Sequence, residues 1–326
     1  MKYNFITIGG ATEDITLYTT EGILIDNKKD LTRQKLLAFE YGAKIKVNKS
    51  ISSFGGGAAN AAVCLSGFGF KAACLCAIGE DARGQSILNN FLKHGVDMTM
   101  VQKVKKIETG FSFLVVGPTN EHIVFSNRAA NNELTINNFE IGILDQCEWI
   151  YLTSLSGEWK NDLEKIFSVK NVKIAWNPGH RQILTGLPGL GQYFKKTTCL
   201  IVNKDEAIEL VMSDKKYKAK SGAFLNNVKN LLAALSACGP KIVVITSGKH
   251  GADAMAEGKI YHQPVAKEAE RADTTGVGDA FGSAFIAGLE LYKQNIKKSL
   301  RLASRNAASV ISIPGAQNGL LGKKDI

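Results

Sequence analysis

Short apolar runs typical of buried β-strands alternate along this chain with segments whose apolar residues recur at helical spacing. The strand-like runs cover residues 3–8, 72–78, 149–153, 172–176, 200–202 and 241–246. The helical patterns cover residues 58–68, 83–94, 162–167, 205–212, 225–237 and 280–289. Strands that alternate with helices predict a parallel sheet covered by helices on both faces. The pattern therefore indicates an α/β fold.

Two stretches interrupt this alternation with β-like pieces. Residues 23–51 form a long insertion with little helical pattern, and residues 112–116 and 122–125 resemble a hairpin with its turn at 118–120. We expect both to lie outside the main sheet and to form a small β lid from about 16–53 and 108–128. The chain contains no low-complexity segment and no internal repeat, so we expect one domain over residues 1–326.

Composition and charge narrow the class of protein. The 326 residues are 45% hydrophobic and 21% charged, which is typical of a globular protein. No apolar stretch is long enough to span a bilayer or to serve as a signal peptide, so a cytoplasmic location is expected. The six cysteines show no metal-binding spacing and are expected to be buried free thiols.

The net charge of +10 leaves nucleic acid as one possible partner. The basic clusters are scattered, however, and only one aromatic residue, Tyr217, lies within any of them, whereas a base-stacking surface would require aromatics interleaved throughout. We therefore interpret them as solvated faces that help to attract an anionic substrate. The clusters lie at residues 103–106, 195–196, 215–220 and 297–301.

The segment at residues 273–281 carries the strongest chemical signal. Gly276 and Gly278 flank Val277, Asp279 follows, and an apolar helical run begins at once. Glycines allow the backbone to approach a ligand closely, and the first N–H groups of a helix bind anions. A carboxylate beside such an anion cradle is suited to accept a proton during phosphoryl transfer to a hydroxyl. The alternative is an ordinary helix start, with Asp279 complementing the helix dipole.

A second glycine-rich segment opens the helix predicted at residues 58–68. Gly55 and Gly56 permit close approach of a ligand, and the amide of Asn60 can both donate and accept hydrogen bonds to a polyol. The spacing does not match a dinucleotide fingerprint, and the chain contains no phosphate-binding loop of the G-x-x-x-x-G-K-[ST] type.

With both glycine motifs, the chain resembles the ribokinase-like family of sugar and nucleoside kinases, the PfkB carbohydrate kinases. Val277 stands where this family usually has Ala. The resemblance implies a three-layer α/β/α sandwich with a mostly parallel central sheet and a small β lid. It also implies an ATP- and Mg²⁺-dependent kinase that phosphorylates a primary hydroxyl of a sugar. The alternatives are a nucleoside kinase and, less favoured, a non-catalytic sugar- or nucleotide-binding protein on the same fold.

The resemblance assigns roles to further residues. Gly276, Val277 and Gly278 would stabilise the transferring phosphoryl group, and Asp279 would be the base. The acceptor would be bound by Asp14, Gly55, Gly56, Asn60 and Asn131. The nucleotide would be bound by Asn203, Thr246, Gly248, Gly251 and Asn306. Glu206 would hold Mg²⁺ through water, and Asp273 and Thr275 mark a possible site for a monovalent cation such as K⁺.

Several of these residues have a simpler interpretation. Asp14 can cap a loop, and Asn203 with Glu206 fits a helix N-cap and its capping box equally well. Residues 246–251 can be a plain turn, and Asn131 a turn residue. The family includes dimers built on the lid, so a homodimer through the lid is a further expectation, with neither nucleic acid nor membrane as a partner.

Overall fold

The computed structural model describes residues 2–26, 35–117, 122–218, 220–267 and 272–326. The strands are β1 (Phe5–Ile8), β2 (Thr12–Tyr18), β3 (Ile23–Asp26), β4 (Lys35–Ala38), β5 (Lys49–Gly55), β6 (Ala72–Leu75), β7 (Ala77–Gly79), β8 (Gln102–Val104), β9 (Phe111–Val116), β10 (His122–Asn127), β11 (Trp149–Leu152), β12 (Lys173–Trp176), β13 (Cys199–Asn203), β14 (Ile242–Thr246), β15 (Ala252–Ala256) and β16 (Lys259–Gln263). The α-helices are α1 (Gly57–Gly67), α2 (Ala82–Lys93), α3 (Asn138–Leu144), α4 (Trp159–Ile166), α5 (His180–Ile183), α6 (Gly186–Phe194), α7 (Lys204–Met212), α8 (Gly222–Asn226), α9 (Val228–Ser236), α10 (Val277–Leu291) and α11 (Ile296–Val310). Short 3₁₀ helices lie at Ala129–Glu133, Gly248–His250 and Lys323–Asp325.

The main sheet has eight strands in the order β16-β15-β14-β13-β12-β11-β1-β6. The six strands from β14 to β6 run parallel, and β15 and β16 continue the sheet antiparallel at one edge. The predicted mostly parallel sheet is confirmed. The two antiparallel edge strands were not anticipated.

Both faces of this sheet are buried, which gives the three layers. Successive residues of β11 alternate between two apolar clusters, with Ile150 in one and Trp149 and Tyr151 in the other. The first cluster is covered by α3 to α9, and the second by α1, α10 and α11. Strands buried on both faces become continuous apolar runs, which is why the sequence displayed them clearly.

A second sheet of four strands lies outside the first, in the order β10-β9-β2-β5. Its hairpin of β9 and β10 confirms the one predicted from sequence, although the predicted turn at 118–120 lies outside the described residues. The strand β2 begins at Thr12, so Asp14 lies within a strand and the simpler interpretation of Asp14 as a loop cap is wrong. Strands β3 and β4 pair separately as a hairpin within the predicted insertion.

Two predicted elements are interrupted. The strand expected at 72–78 breaks at Cys76 into β6 and β7, and the helix expected at 225–237 breaks at Asn227. Asn227 caps α9 by accepting a hydrogen bond from the Lys229 N–H over 3.0 Å. All six cysteines are free thiols, and five of them are buried, while Cys238 is half-buried. Across the described residues, no helix has the length and apolar character needed to cross a membrane.

Candidate active site

The start of α10 is shaped by two glycines with different environments. Gly276 caps the helix with φ +73°, a left-handed conformation, and a side chain there would collide with Ala316. A Cβ on Gly278, by contrast, would meet no atom within 4 Å. The first helical turn therefore has open space beside Gly278, and the free N–H groups of a helix start next to such a space can form an anion site.

Asp279 is half-buried in that first turn. Its Oδ2 accepts a hydrogen bond from Asn60 Nδ2 over 2.8 Å, and a Cβ on Gly57 would lie 3.2 Å from its Oδ1. The N-termini of α1 and α10 thus converge on one carboxylate. Burial raises the pKa of Asp279, the hydrogen bond from Asn60 lowers it, and the negative charge of Asp14 raises it further.

Asn60 itself is only 3% exposed, and both ends of its amide are engaged. Besides donating to Asp279, it accepts a hydrogen bond from Gln317 Nε2 over 2.9 Å. Gln317 in turn accepts from Asn90 Nδ2 over 2.8 Å. Sequence reasoning missed Gln317 and Asn90, because neither lies in a motif with a local signal.

Asp14 lies on β2 and is 7% exposed. Its Oδ1 accepts a hydrogen bond from the Thr12 hydroxyl over 3.1 Å. Gly55, on the neighbouring strand, is required by this geometry, because a Cβ there would overlap Asp14 Oδ2. Gly56 has φ +90°, and a side chain on it would strike the backbone of Gly10. Burial is the main cause that raises the pKa of Asp14.

Asn131 lies in the 3₁₀ helix Ala129–Glu133 rather than on the hairpin, and it is 4% exposed. Its Oδ1 accepts from the Ala11 N–H over 3.0 Å, and its Nδ2 donates to the Ala11 carbonyl over 3.1 Å. The amide therefore holds the backbone that leads into β2. Its contact with an acceptor stays a prediction.

A cavity of about 280 Å³ lies beside the start of α10. Val277 and Gly278 line one side of it, and Thr246, Gly248 and Gly251 line another. The remaining walls are mostly apolar and include Val265, Phe281, Ala307, Ala308 and Ile311. A concave, mostly apolar space with few polar groups is typical of a site for a planar organic ligand.

Asn306 does not line this cavity. It is fully buried on α11, where Nδ2 donates to the Ala280 carbonyl over 2.8 Å and Oδ1 accepts from the Leu321 N–H over 2.8 Å. In this position it ties α11 to α10 and to the C-terminal segment. The structure does not bring it together with Thr246 and Gly251.

Asn203 and Glu206 form the capping box that their spacing allowed. Asn203 Oδ1 accepts from the Glu206 N–H over 2.9 Å, and Glu206 Oε2 accepts from the Asn203 N–H over 2.8 Å. Asn203 also lines a second cleft, which shares Thr246 and Gly248 with the first. Burial raises the pKa of the Glu206 carboxyl. The capping role and a role towards a ligand in these clefts are compatible.

Asp273 folds the loop before α10. Its Oδ1 accepts from the Thr275 N–H over 2.9 Å and its Oδ2 accepts from the Gly315 N–H over 3.0 Å. The hydroxyl of Thr275 is buried and has no hydrogen-bond partner among the described residues. No group of three or more potential metal-ligating side chains occurs within the described ranges.

The sequence and the fold of this chain are similar to those of known proteins. A family model described as "pfkB family carbohydrate kinase" matches residues 26–322. The ribokinase of Haemophilus influenzae is 27% identical over 279 residues, which cover 82% of this chain and 84% of the relative. The Arabidopsis thaliana ribokinase structure complexed with ribose and ATP has a TM-score of 0.79 at 18% identity, over 99% of this chain and 97% of that chain. A nucleoside kinase of Methanocaldococcus jannaschii has a TM-score of 0.77 at 19% identity, over 99% and 96%.

Proposed function

Since the chain belongs to the pfkB family of carbohydrate kinases, we propose that it transfers the γ-phosphoryl group of ATP to a primary hydroxyl of a sugar. One observation carries the proposal: the Asp279 carboxylate lies in the first turn of α10, beside the open N–H groups that follow Gly276. A base and an anion site in one helical turn are what this transfer requires.

In the reaction, the acceptor hydroxyl faces Asp279 and attacks the γ-phosphorus while its proton moves to the carboxylate. The bond between the γ-phosphorus and the β-γ bridging oxygen breaks, and ADP leaves. Because Oδ2 is held by Asn60, Oδ1 is the oxygen that takes the proton. The N–H groups of Gly276, Val277 and Gly278 stabilise the charge on the transferring group.

The acidic residues nearby fit the cations that such a reaction uses. Magnesium bound to ATP phosphates keeps several waters and neutralises developing charge, so it needs few protein carboxylates. Glu206 uses Oε2 in the capping box, and its other oxygen, Oε1, would hold a water of the metal when magnesium is bound. The buried Thr275 hydroxyl, unpartnered among the described residues, and the adjacent Asp273 support a monovalent cation in their loop.

The acceptor is assigned to the space in front of Asp14, with Gly55, Gly56 and Asn60 beside it. A nucleoside acceptor is the alternative, and it would need an aromatic face for its base. The candidates are Phe39, Tyr41 and Phe111, which can equally belong to the core of the lid. Phe39 is 38% exposed, and the guanidinium of Arg83 covers one face of the Phe111 ring at 4.4 Å from the centroid. Tyr41 is fully exposed, so no residue that the structure describes orients its ring. A sugar is therefore the favoured acceptor.

The test is ATP-dependent ADP formation over a panel of sugars and nucleosides, with Asp279→Asn as the inactive control. Ribose and 5-deoxyribose form the sharpest pair, because they differ in the primary hydroxyl alone. We expect transfer to at least one sugar with a primary hydroxyl and none to its deoxy analogue. Transfer to nucleosides alone would replace the sugar assignment, and no transfer to any acceptor would contradict the kinase proposal.

The second sheet is proposed as the lid of a single kinase domain that spans residues 1–326. Its edge strand β10 exposes Val124 and Phe125, and the latter is 60% exposed. Exposed apolar edge strands are often covered by a partner, so we propose a homodimer through the lid. Light scattering at micromolar concentration tests this: the wild type should have twice the chain mass and Phe125→Glu should have the mass of one chain. A wild-type monomer would contradict the dimer.

A further inference from the structure

Three amide side chains form a hydrogen-bonded line that ends on Asp279. Asn90, in the last turn of α2, donates from Nδ2 to Oε1 of Gln317 over 2.8 Å. Gln317 donates from Nε2 to Oδ1 of Asn60 over 2.9 Å, and Asn60 donates from Nδ2 to Oδ2 of Asp279 over 2.8 Å. Every link therefore directs its N–H groups towards the carboxylate.

We propose that Asn90 and Gln317 are positioning residues that act through Asn60 to keep the Asp279 carboxylate oriented and unprotonated. The proposal rests on the proposed function, in which Asp279 is the base. It assigns a role to two residues that lie 227 positions apart and in no glycine motif.

We call the line of hydrogen bonds from Asn90 through Gln317 and Asn60 to Asp279 the relay. Its direction follows from the chemistry of the amide group. An amide has a donating end and an accepting end, so a partner at one end decides what the other end offers. Gln317 donates to the carbonyl of Asn60, which leaves the amino group of Asn60 for Asp279. If Asn60 were turned over, its carbonyl oxygen would face the carboxylate and would disfavour the ionised form.

The direction of these hydrogen bonds affects Asp279 strongly because the amides that form them are buried. Asn60 is 3% exposed and Gln317 is 8% exposed, so water has little access to replace a lost link. In the described part of the chain, the titratable groups that face Asp279 are the carboxyl of Asp14 on β2 and the phenol of Tyr151 on β11. Burial and the charge of Asp14 raise the pKa of Asp279, while the hydrogen bond from Asn60 acts against them.

The substitution Asn90→Asp tests the relay by reversing it. A carboxylate at this half-buried position only accepts, so Gln317 must turn its amino group towards it. Gln317 then offers a carbonyl to Asn60, and Asn60 offers a carbonyl to Asp279. The matched control is Asn89→Asp, which makes the same charge change one residue away. Asn89 already accepts a hydrogen bond from Gln85 Nε2 over 3.0 Å, and an aspartate can accept the same bond.

The readout is the titration midpoint of Asp279 in substrate-free protein, followed by carbon NMR of aspartate-labelled chains. The Asp279 signal is identified by its loss in Asp279→Asn. We expect Asn90→Asp to raise the midpoint by about one pH unit relative to Asn89→Asp, the scale of a hydrogen bond to a charged group. In the kinase assay, the acidic limb of kcat/KM should move by the same amount.

A second variant, Gln317→Met, breaks the relay without adding charge and should raise the midpoint by a smaller amount. It decides the question if Asn90→Asp does not fold. Equal midpoints in Asn90→Asp and Asn89→Asp, with Gln317→Met equal to the wild type, would overturn the relay. The midpoint is measured without substrate, so it tests the relay whether or not the protein is a kinase. Absence of kinase activity would reject the proposed function alone.

Discussion

Asn60 donates a hydrogen bond of 2.8 Å to Asp279, a residue 219 positions further along the chain. The contact joins the first turn of α1 to the first turn of α10, so the positive ends of two helix dipoles meet at one carboxylate. This arrangement favours negative charge from the carboxylate and from a phosphate alike. It brings the two glycine-rich segments of the sequence into one site.

Replacement of Asp279 by Asn should reduce turnover by roughly two to four orders of magnitude, the usual contribution of a general base. ATP affinity should be retained, because the cavity beside α10 is lined by other residues. Steady-state kinetics and a fluorescent-nucleotide titration measure the two effects separately. Turnover within tenfold of the wild type would remove Asp279 from the role of base.

The same substitution should stabilise the protein at neutral pH. Burial raises the pKa of Asp279 in the folded state above the value of about 3.9 expected when the chain is unfolded. Between these two values the folded state binds more protons, so the stability contributed by this group falls as pH rises through the window. Asp279→Asn avoids that loss, and its Tm should exceed that of the wild type at pH 7. The difference should shrink as pH falls towards about 3.9.

Substitution of Asp81 is a control for which we expect the opposite change in Tm. Although burial opposes the effect, hydrogen bonds from Thr109 and Gly84 lower the pKa of the Asp81 carboxyl. Asp81→Asn should therefore lower Tm at pH 7, and this loss should fade as pH falls through the depressed folded-state pKa. Changes of the same sign in both variants would contradict the assignment.

The main sheet could be predicted because its strands carry their own signal. Phe5–Ile8 and Trp149–Leu152 are buried at every position and are therefore almost entirely apolar, with Thr7 as the polar exception in the first strand. Edge strand β15 alternates between buried and half-buried positions, and β16 has no buried position. Both contain small or polar residues, so they show no comparable apolar run. Cys76 and Asn227 interrupt elements at points where the apolar pattern continues.

Parts of the candidate site were predictable for a similar reason. Gly276 is required by a left-handed backbone that is local in sequence, and Asn203 with Glu206 has the spacing of a capping box. The relay through Gln317 depends on side chains that meet only in the folded chain, and no local sequence pattern predicts such contacts. Asn306 shows the converse, because the role towards the nucleotide that the resemblance implies gives no sign that its amide bonds to Ala280 and Leu321.

Gly276 and Gly278, the two glycines of the proposed anion site, should respond differently to substitution. Gly278→Val places its side chain in open space, so Tm should change little, although phosphoryl transfer should fall because the anion site is obstructed. Gly276→Ala combines a left-handed backbone with a collision against Ala316, and it should lower the free energy of unfolding by about 1–3 kcal/mol. Thermal unfolding and single-turnover kinetics on both variants measure this contrast. Unchanged chemistry in folded Gly278→Val would show that the cradle lies elsewhere.

Glu206 allows the capping role to be separated from the role towards magnesium. Glu206→Gln retains an oxygen that can accept from the Asn203 N–H, so the capping box and Tm should be preserved. The loss of charge should nevertheless weaken the hold on a metal-bound water and raise the Mg²⁺ concentration needed for half-maximal activity. Glu206→Ala should show the same magnesium effect and, in addition, lose about 0.3–1.5 kcal/mol of stability with the capping bond. Magnesium titrations at saturating ATP and chemical unfolding of both variants distinguish the two roles. If Glu206→Gln requires no more magnesium than the wild type, Glu206 serves only as a cap.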